Sequence, residues 1–390
     1  MVMKSRRDYL KAIRLRYLKA YKKAKSSILH EFCINCGYNR KYAIRLLNKK
    51  PPQDTSARTK PGPKSVYHDS ILLKALKHIW FATDQMCSKK LQAVIPLWLP
   101  FYEEQFNPLP DDLKAKLLKV SPSSIDRLLK PVRIRYKTKG LCGTKPGTLL
   151  KNQIPIKTNP WNTTKPGFFE ADTVAHCGNS LSGDFVWSLT FTDISSAWTE
   201  NRAVWNKGAQ GVLNQIQDIE KDLPFSILGF NCDNGSEFLN YHLLRYFTNR
   251  PHSPVSFTRT RPYKKNDNAH VEQKNWSHVR QLLGYERFDQ PELVQLINAL
   301  YKNEWSLYNN YFCPTLKLKE KTRKNSKYIK KYEYPKTPYQ RLMDSEHISQ
   351  EQKDKLNKTF QSLNPFKLKK SIESKLKIIF NTLRLPANDS

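Results

Sequence analysis

Three carboxylates in this chain stand where their chemistry would need a cation. Asp172 lies in "FFEADTVAH", Asp233 in "GFNCDNGSEF" and Glu272 in "NDNAHVEQKNW", spaced 61 and 39 residues apart. A carboxylate at the end of an apolar run is costly to desolvate unless something positive meets it. Three converging anions cannot all stay ionised without cations. Oxygen donors alone suit a hard ion, Mg²⁺ or Mn²⁺. Two such ions about 3.5–4 Å apart activate an attacking oxygen and stabilise a leaving one in phosphoryl transfer. The plainer alternative for Asp233 is a helix N-cap.

For the acids to converge, the elements carrying them must be neighbours. "GFFEADTVAH" alternates as a strand, with Phe169, Ala171, Thr173 and Ala175 on one face and Glu170, Asp172 and Val174 on the other. "DFVWSLTFTDISSAWTENRAVW" reads as two more strands, joined at Asp193–Ser196 in an antiparallel meander. A helix follows in "GAQGVLNQIQDIEKDL", then a strand in "FSILGFNCD" and a helix in "SEFLNYHLLRYFT". A short strand, "VSFTRTRPY", and a helix, "NDNAHVEQKNWSHVRQLL", complete the segment. Three strands, helix, strand, helix, strand, helix is a mixed α/β layer with the order of a ribonuclease H-like sheet. In such a sheet the first and fourth strands lie side by side and the last helix crosses near their ends. Asp233 would project from the fourth strand, with Asn234 and Gly235 turning the chain away and Glu237 opening the next helix.

Other residues compete for roles. Glu237 is the rival ligand to Asp233, and Glu170 shares a strand face with Asp172. Asp193 is read as a turn residue before a serine pair. His176 and His270 sit close to two of the acids, where a packing or surface role stands beside proton shuttling or DNA contact. Trp276 reads as core, and Asn275 as a group that orders a phosphate.

The whole chain has 390 residues and a formal charge of +33, far beyond what solubility needs, so a polyanion is the implied partner. No apolar run approaches a membrane span. Seven scattered cysteines suit a reducing compartment, and a cytoplasmic, nucleoid-associated protein is expected. The charge is uneven. Residues 1–50 hold 15 Lys/Arg against 2 acids, residues 316–331 hold 8 against 1, and residues 168–290 hold 12 against 14. Basic flanks that grip a polyanion around a middle that does the chemistry fit this split.

The flanks read as helical. In 1–50, helices over 8–23, 26–35 and 39–47 are expected, with Gly37 at a sharp turn and Asn39 as a cap. Arg40, Lys41 and Arg45 would face outward from the last helix, a helix-turn-helix pattern beside the alternative of a plain basic bundle. "CINC" lacks a second ligand pair and is read as a buried thiol, Cys33 on the apolar face of its helix, and a turn residue, Cys36. Residues 51–67 form a Pro- and Lys-rich linker, where Lys60 and Lys64 could track a minor groove or simply be solvated. Residues 68–135 form a second helical DNA-binding domain, with one long helix interrupted at Pro96 and Pro100. Its last helix is capped by Ser121 and ended by Pro131, and presents Ser123, Ser124, Arg127 and Lys130 outward. A basic connector (136–165), the catalytic core (166–312) and a basic helical C-terminal region (313–390) follow. The last would touch DNA or another subunit.

The motifs "FFEADTVAHCG", "NCDNGSEF" and "RPYKKNDNAHVEQKNWSHVR" together resemble the core of DDE integrases and transposases, in the retroviral-integrase-like branch of bacterial insertion-sequence transposases. The resemblance covers about 168–310. It implies that Asp172, Asp233 and Glu272 are the metal-binding catalytic triad, with Mg²⁺ or Mn²⁺ as cofactor. It also implies phosphodiester hydrolysis and transesterification on the terminal inverted repeats of a mobile element and on target DNA, in a homo-oligomer. Many relatives carry Lys or Arg seven residues after the catalytic Glu. Here that place is Val279, which leaves Lys264, Lys265, Lys274 and Arg280 as the core's candidate DNA contacts. The fold class expected is multidomain α + α/β. A DDE-type nuclease without strand transfer and a non-catalytic DNA-binding descendant are the alternatives.

Overall fold

β1 (Phe168–Ala175) is the strand around which the sheet is ordered. It pairs antiparallel with β2 (Val186–Asp193), which pairs antiparallel with β3 (Thr199–Trp205). On its other side β1 pairs parallel with β4 (Gly229–Cys232), and β4 pairs parallel with β5 (Ser256–Arg259). The order β3-β2-β1-β4-β5 is that of the ribonuclease H-like sheet expected from the alternation of elements. Parallel neighbours need crossovers. Two helices supply them, α8 (Ala209–Asp222) before β4 and α9 (Tyr241–Thr248) before β5.

The computed structural model describes residues 3–49, 66–133, 164–250, 254–261, 268–324 and 327–384. They fall into two compact units, one ending at Ser65 and the other beginning at Val66. Lys60, Lys64, Lys264 and Lys265 lie outside the described residues, as does most of the linker and connector.

The first unit has three helices, α1 (Met3–Lys19), α2 (Lys22–Cys36) and α3 (Arg40–Asn48). Ile13, Tyr17, Ile28, Phe32, Ala43 and Leu47 close its core. Gly37 holds the left-handed conformation (φ 68°) that lets α2 stop, and its N–H reaches the Cys33 carbonyl. Asn39 caps α3 by accepting from the Lys41 N–H at 3.0 Å. The two cysteines are the reverse of the expectation: Cys36, the last residue of α2, is buried, and Cys33 is half-buried.

The second unit opens with α4 (Ser70–Ala82), α5 (Ser88–Gln105), α6 (Asp111–Leu118) and α7 (Pro122–Arg133). Pro96 and Pro100 do not interrupt α5, nor does Pro131 end α7. Each interior proline costs about 3 kcal/mol. In α5 that cost is met by burial of Leu91, Val94, Ile95, Trp98 and Leu99 along its length. These helices share a core with the rest of the unit. Trp98 donates to the Phe312 carbonyl at 3.1 Å, and Phe101 packs edge-on against Phe312. The divisions expected at 135 and 312 therefore fall inside one compact body.

After the sheet, α10 (Ala269–Lys274) runs into a wide π-helical stretch, Asn275–Arg280, and then α11 (Gln281–Leu283). α12 (Glu292–Leu300) follows, continued by π-helical turns to Phe312. A hairpin of β6 (Leu318–Lys324) and β7 (Lys327–Tyr332) comes next, which the sequence reading placed in a helical region. α13 (Pro338–Asp344), α14 (Gln350–Ser362) and α15 (Pro365–Arg384) end the chain, and α15 packs on α5 and α12. Arg202 on β3 is 1% exposed and donates to Asp218 and Asp222 on α8, both at 2.8 Å. The two aspartates are one helical turn apart, so a single guanidinium holds the helix to the sheet edge.

Candidate active site

The register of β1 and β4 fixes the first pair. Ala171 lies opposite Cys232, so Asp172 and Asp233 follow at the same end of adjacent parallel strands. Asp172 accepts from the Thr173 N–H at 2.8 Å, and Asp233 from the Gly235 N–H at 2.9 Å. Burial, and then the charge of Asp233, hold the Asp172 carboxyl well above the usual carboxylate range. Burial, and then the charge of Glu237, push Asp233 up to about 6. Both shifts are those expected of buried carboxylates beside other carboxylates.

Glu237 is part of this crowd. It does not open a helix, because α9 starts only at Tyr241, capped by Asn240. The segment between is a turn that folds the Glu237 carboxylate back, where it accepts from the Thr173 hydroxyl at 2.8 Å. Lys207 stands 3.4 Å from its other oxygen. Gly235 makes this possible, since a Cβ there would lie 2.5 Å from Glu237 Oε2. Asn234 is buried and bridges β4 to β5, donating to the Thr260 carbonyl and accepting from Arg259, both at 3.0 Å.

α10 is docked onto the sheet by side chains two residues before each aspartate, Glu170 on β1 and Asn231 on β4. Glu170 is buried and accepts from the N–H groups of His270 and Val271 at 3.0 and 3.2 Å, so an anion meets the open amides of a helix start. Asn231 donates to Asn268 at 2.9 Å. Asn275, at the start of the π-helical stretch, donates to Asp172 at 2.7 Å, while its own Oδ1 is buried with no hydrogen-bond partner. Glu272 sits one turn before Asn275 and is exposed. Among the described residues, no three His, Cys, Asp or Glu side chains are gathered so as to hold a metal ion. The donor chemistry nevertheless fits one. The acids supply only oxygen, two are raised by burial and then by a neighbouring carboxylate, and a carbonyl oxygen beside Asp172 has nothing to accept from.

The remaining candidates separate clearly. Lys274 is buried, in the wall of the cleft beside its helix. Its ammonium lies 3.5 Å from His278, and burial, then Lys90, push it down to about 7. Arg280 is half-buried and donates to the Ala175 and Gly284 carbonyls, tying the helix to β1. Ser124 is buried rather than outward. It donates its N–H to Ser121, which caps α7, and accepts from Arg127 at 3.2 Å. Ser123, Arg127 and Lys130 are exposed on α7, and Arg40, Lys41 and Arg45 on α3. His176 is a core residue bonded to Ser188 at 2.7 Å, pushed down to about 3 by burial and then Arg280. Asp193 closes its turn by accepting from Ser196 and from the Gly167 N–H. Trp276 is 52% exposed, against the expectation of a core role.

Beside α10 opens a cleft of about 2620 Å³, lined in part by Lys90, Gln273, Trp276, Lys319, Lys330 and Tyr332. The sequence reading did not anticipate its far wall, the β6–β7 hairpin. The available signal was the alternation in "LKEKTRK" and "KYIKKY" around Asn325-Ser326.

Comparison with known proteins places the chain by descent. The uncharacterized protein y4rM of Sinorhizobium fredii (strain NBRC 101917 / NGR234) is 35% identical over 341 residues, 87% of this chain and 95% of that protein. The chain belongs to the y4rM family. No family model matches it. Among solved structures, the catalytic core domain of BIV integrase overlaps 46% of the chain and 96% of its own length, at 16% identity and a TM-score of 0.29. A simian T-cell lymphotropic virus intasome, solved in complex with PP2A regulatory subunit B56 gamma, overlaps 46% of the chain at 13% identity and a TM-score of 0.26. There the match spans 58% of the other chain. Superpositions this loose carry no functional information. In this member of the y4rM family the strand order and the paired aspartates have to carry it.

Proposed function

We propose that this chain is a DNA transposase of the insertion-sequence type, cutting DNA at the ends of a mobile element and joining the freed 3′-hydroxyls to a target. One observation carries the reading: Asp172, within β1, lies beside Asp233, which follows the end of the adjacent parallel strand β4, and burial and neighbouring charge raise both carboxyls, while Glu272 stands on the helix docked against these strands. Asp172, Asp233 and Glu272 would hold Mg²⁺ or Mn²⁺, with Asn275 fixing the Asp172 carboxylate and Glu170 fixing the helix. The ion, when bound, supplies activation of a hydroxyl and neutralisation of a leaving oxygen. The basic three-helix unit, with Arg40, Lys41 and Arg45 outward, would read the element ends. Joining two ends calls for more than one copy of the chain.

The test uses duplexes taken from the DNA flanking the coding sequence, incubated with the full chain and Mg²⁺ or Mn²⁺. Nicked 3′-hydroxyl ends and joined products are expected. Asp172→Asn, Asp233→Asn and Glu272→Gln should each abolish both products and leave binding intact. Nicking without joining would leave a nuclease, and robust cutting in a chelator would sink the reading. If Glu237→Gln abolished cutting and Glu272→Gln did not, the third ligand would be Glu237.

A further inference from the structure

We infer that the β6–β7 hairpin is an arm that grips duplex DNA in its major groove, beside the carboxylate site. The inference rests on the functional reading above and adds the element that would seat the substrate.

The hairpin has no core of its own. Every residue of β6 is exposed, and Tyr328, Ile329 and Tyr332 on β7 are exposed as well. A two-stranded hairpin without a packed face is marginal in water. Its described side chains carry Lys319, Lys321, Arg323, Lys324, Lys330 and Lys331 against a single acid, Glu320, which pairs with Lys331 at 2.8 Å. Lys321 lies directly opposite Lys330, and like charges in that position repel. The aromatic face does not quench this. Lys321 and Arg323 both lie over the Tyr328 ring, at 4.6 and 6.0 Å, so the cations are held together. A protein surface built this way is relieved by a polyanion.

Shape then selects the polyanion. The arm is firmly based. Glu333 donates its N–H to the Lys317 carbonyl, Arg341 pairs with Glu333 at 2.8 Å, and Thr315 bridges Lys336. Seven residues of strand project roughly 20 Å. The B-form major groove, about 12 Å wide, admits a two-stranded ribbon, whereas the A-form major groove is too narrow. Lys319, Lys330 and Tyr332 line the same cleft as Gln273 and Trp276, next to Glu272 on its helix. A duplex held by the arm is thereby held against the element that carries Glu272. An anionic membrane would satisfy the charge without explaining that proximity.

The experiment measures binding of the full chain, without divalent cations, to a DNA duplex across a salt series. The variant Lys321→Gln/Arg323→Gln/Lys330→Gln should weaken binding and flatten the slope of log K against log salt by about 2–3. The single change Lys330→Gln relieves the cross-strand repulsion, so it cannot act by melting the arm, and should flatten the slope by about 0.9. Lys321→Arg/Lys330→Arg should keep affinity and slope. An RNA duplex of the same sequence should bind more weakly and be insensitive to these changes. If the unaltered chain binds no duplex, the arm and the functional reading both fall. If it binds and the triple variant matches it in affinity and slope, the arm alone falls. Equal losses on RNA and DNA, or losses only on vesicles containing phosphatidylserine, would also overturn it.

Discussion

Asn275 donates to Asp172 at 2.7 Å, and this bond joins the helix that carries Glu272 to the strand that carries the first acid. It falls where α10 widens into a π-helical turn, a deviation that re-aims side chains and recurs at functional sites. The amide's other end, Oδ1, is left buried and unpartnered. Both Asp172 oxygens accept from neutral donors, one from Asn275 and one from the Thr173 N–H, so no charged donor holds the carboxylate. That suits the proposed role of Asp172 in holding a cation, which a lysine or arginine in the same place would exclude.

The first prediction follows from that bond. Asn275→Ala should leave duplex binding unchanged and reduce Mg²⁺ affinity or activity about 10–100-fold, as loss of a ligand-orienting group does. A Mg²⁺ titration of cleavage, with melting temperature as the control for folding, reads both. Unchanged Mg²⁺ dependence would make the bond merely structural.

Asp233, pushed up to about 6, gives a pH signature. A carboxyl whose folded pKa lies above its unfolded value near 3.9 binds more protons folded than unfolded between the two. Its penalty is absent at low pH and is present in full above the folded pKa. Asp233→Asn should therefore raise the melting temperature of the metal-free protein at pH 7–8. The gain should shrink through pH 6 and vanish below about 4. His176 and His278, held neutral by burial, act in the opposite direction but cancel in the difference between variant and parent. Melting curves of both proteins in chelator decide it, and a gain independent of pH would contradict the crowding of these acids.

Gly235 is the third case. Its added methyl would meet the Glu237 carboxylate at 2.5 Å, so Gly235→Ala must displace either the turn or the side chain. Overpacking of this kind costs about 1–3 kcal/mol. Chemical denaturation should show that loss, and Gly235→Ala/Glu237→Ala should recover part of it. No recovery would mean the backbone, not Glu237, sets the need for glycine.

What was legible in the sequence was what periodicity encodes. The alternation around Asp172 and the apolar run before Asp233 gave the strands, their order and the pairing that sets the two acids side by side. Contacts made by turns were not legible. Glu237 looked like the first turn of a helix because an acid suits that place, yet Thr173 and Gly235 draw it back to the strand ends. Prolines 96 and 100 looked like breaks because a local rule has no knowledge of the core that buries α5. Lys274 and Trp276 were exchanged in effect. Helical spacing was read without the π-helical turn, which shifts the phase after Lys274 and leaves the tryptophan facing out, while Lys274, in the regular helix before it, faces in.

That exchange yields the last prediction. A core tryptophan replaced by alanine would cost about 3–5 kcal/mol through the cavity it leaves. Trp276 is 52% exposed and lines the cleft beside α10, so Trp276→Ala should change stability by no more than about 0.5 kcal/mol. Its exposed ring also stands in the cleft assigned to DNA, where base–aromatic stacking is worth about 1–3 kcal/mol per base when a base is unpaired. Binding to a duplex with a frayed or single-stranded end should therefore weaken in Trp276→Ala, while binding to a fully paired duplex should change little. Chemical denaturation and the two binding isotherms are the measurements. A stability loss of core size would return Trp276 to the interior. Equal binding of both duplexes by variant and parent would leave the ring outside the path of the strand.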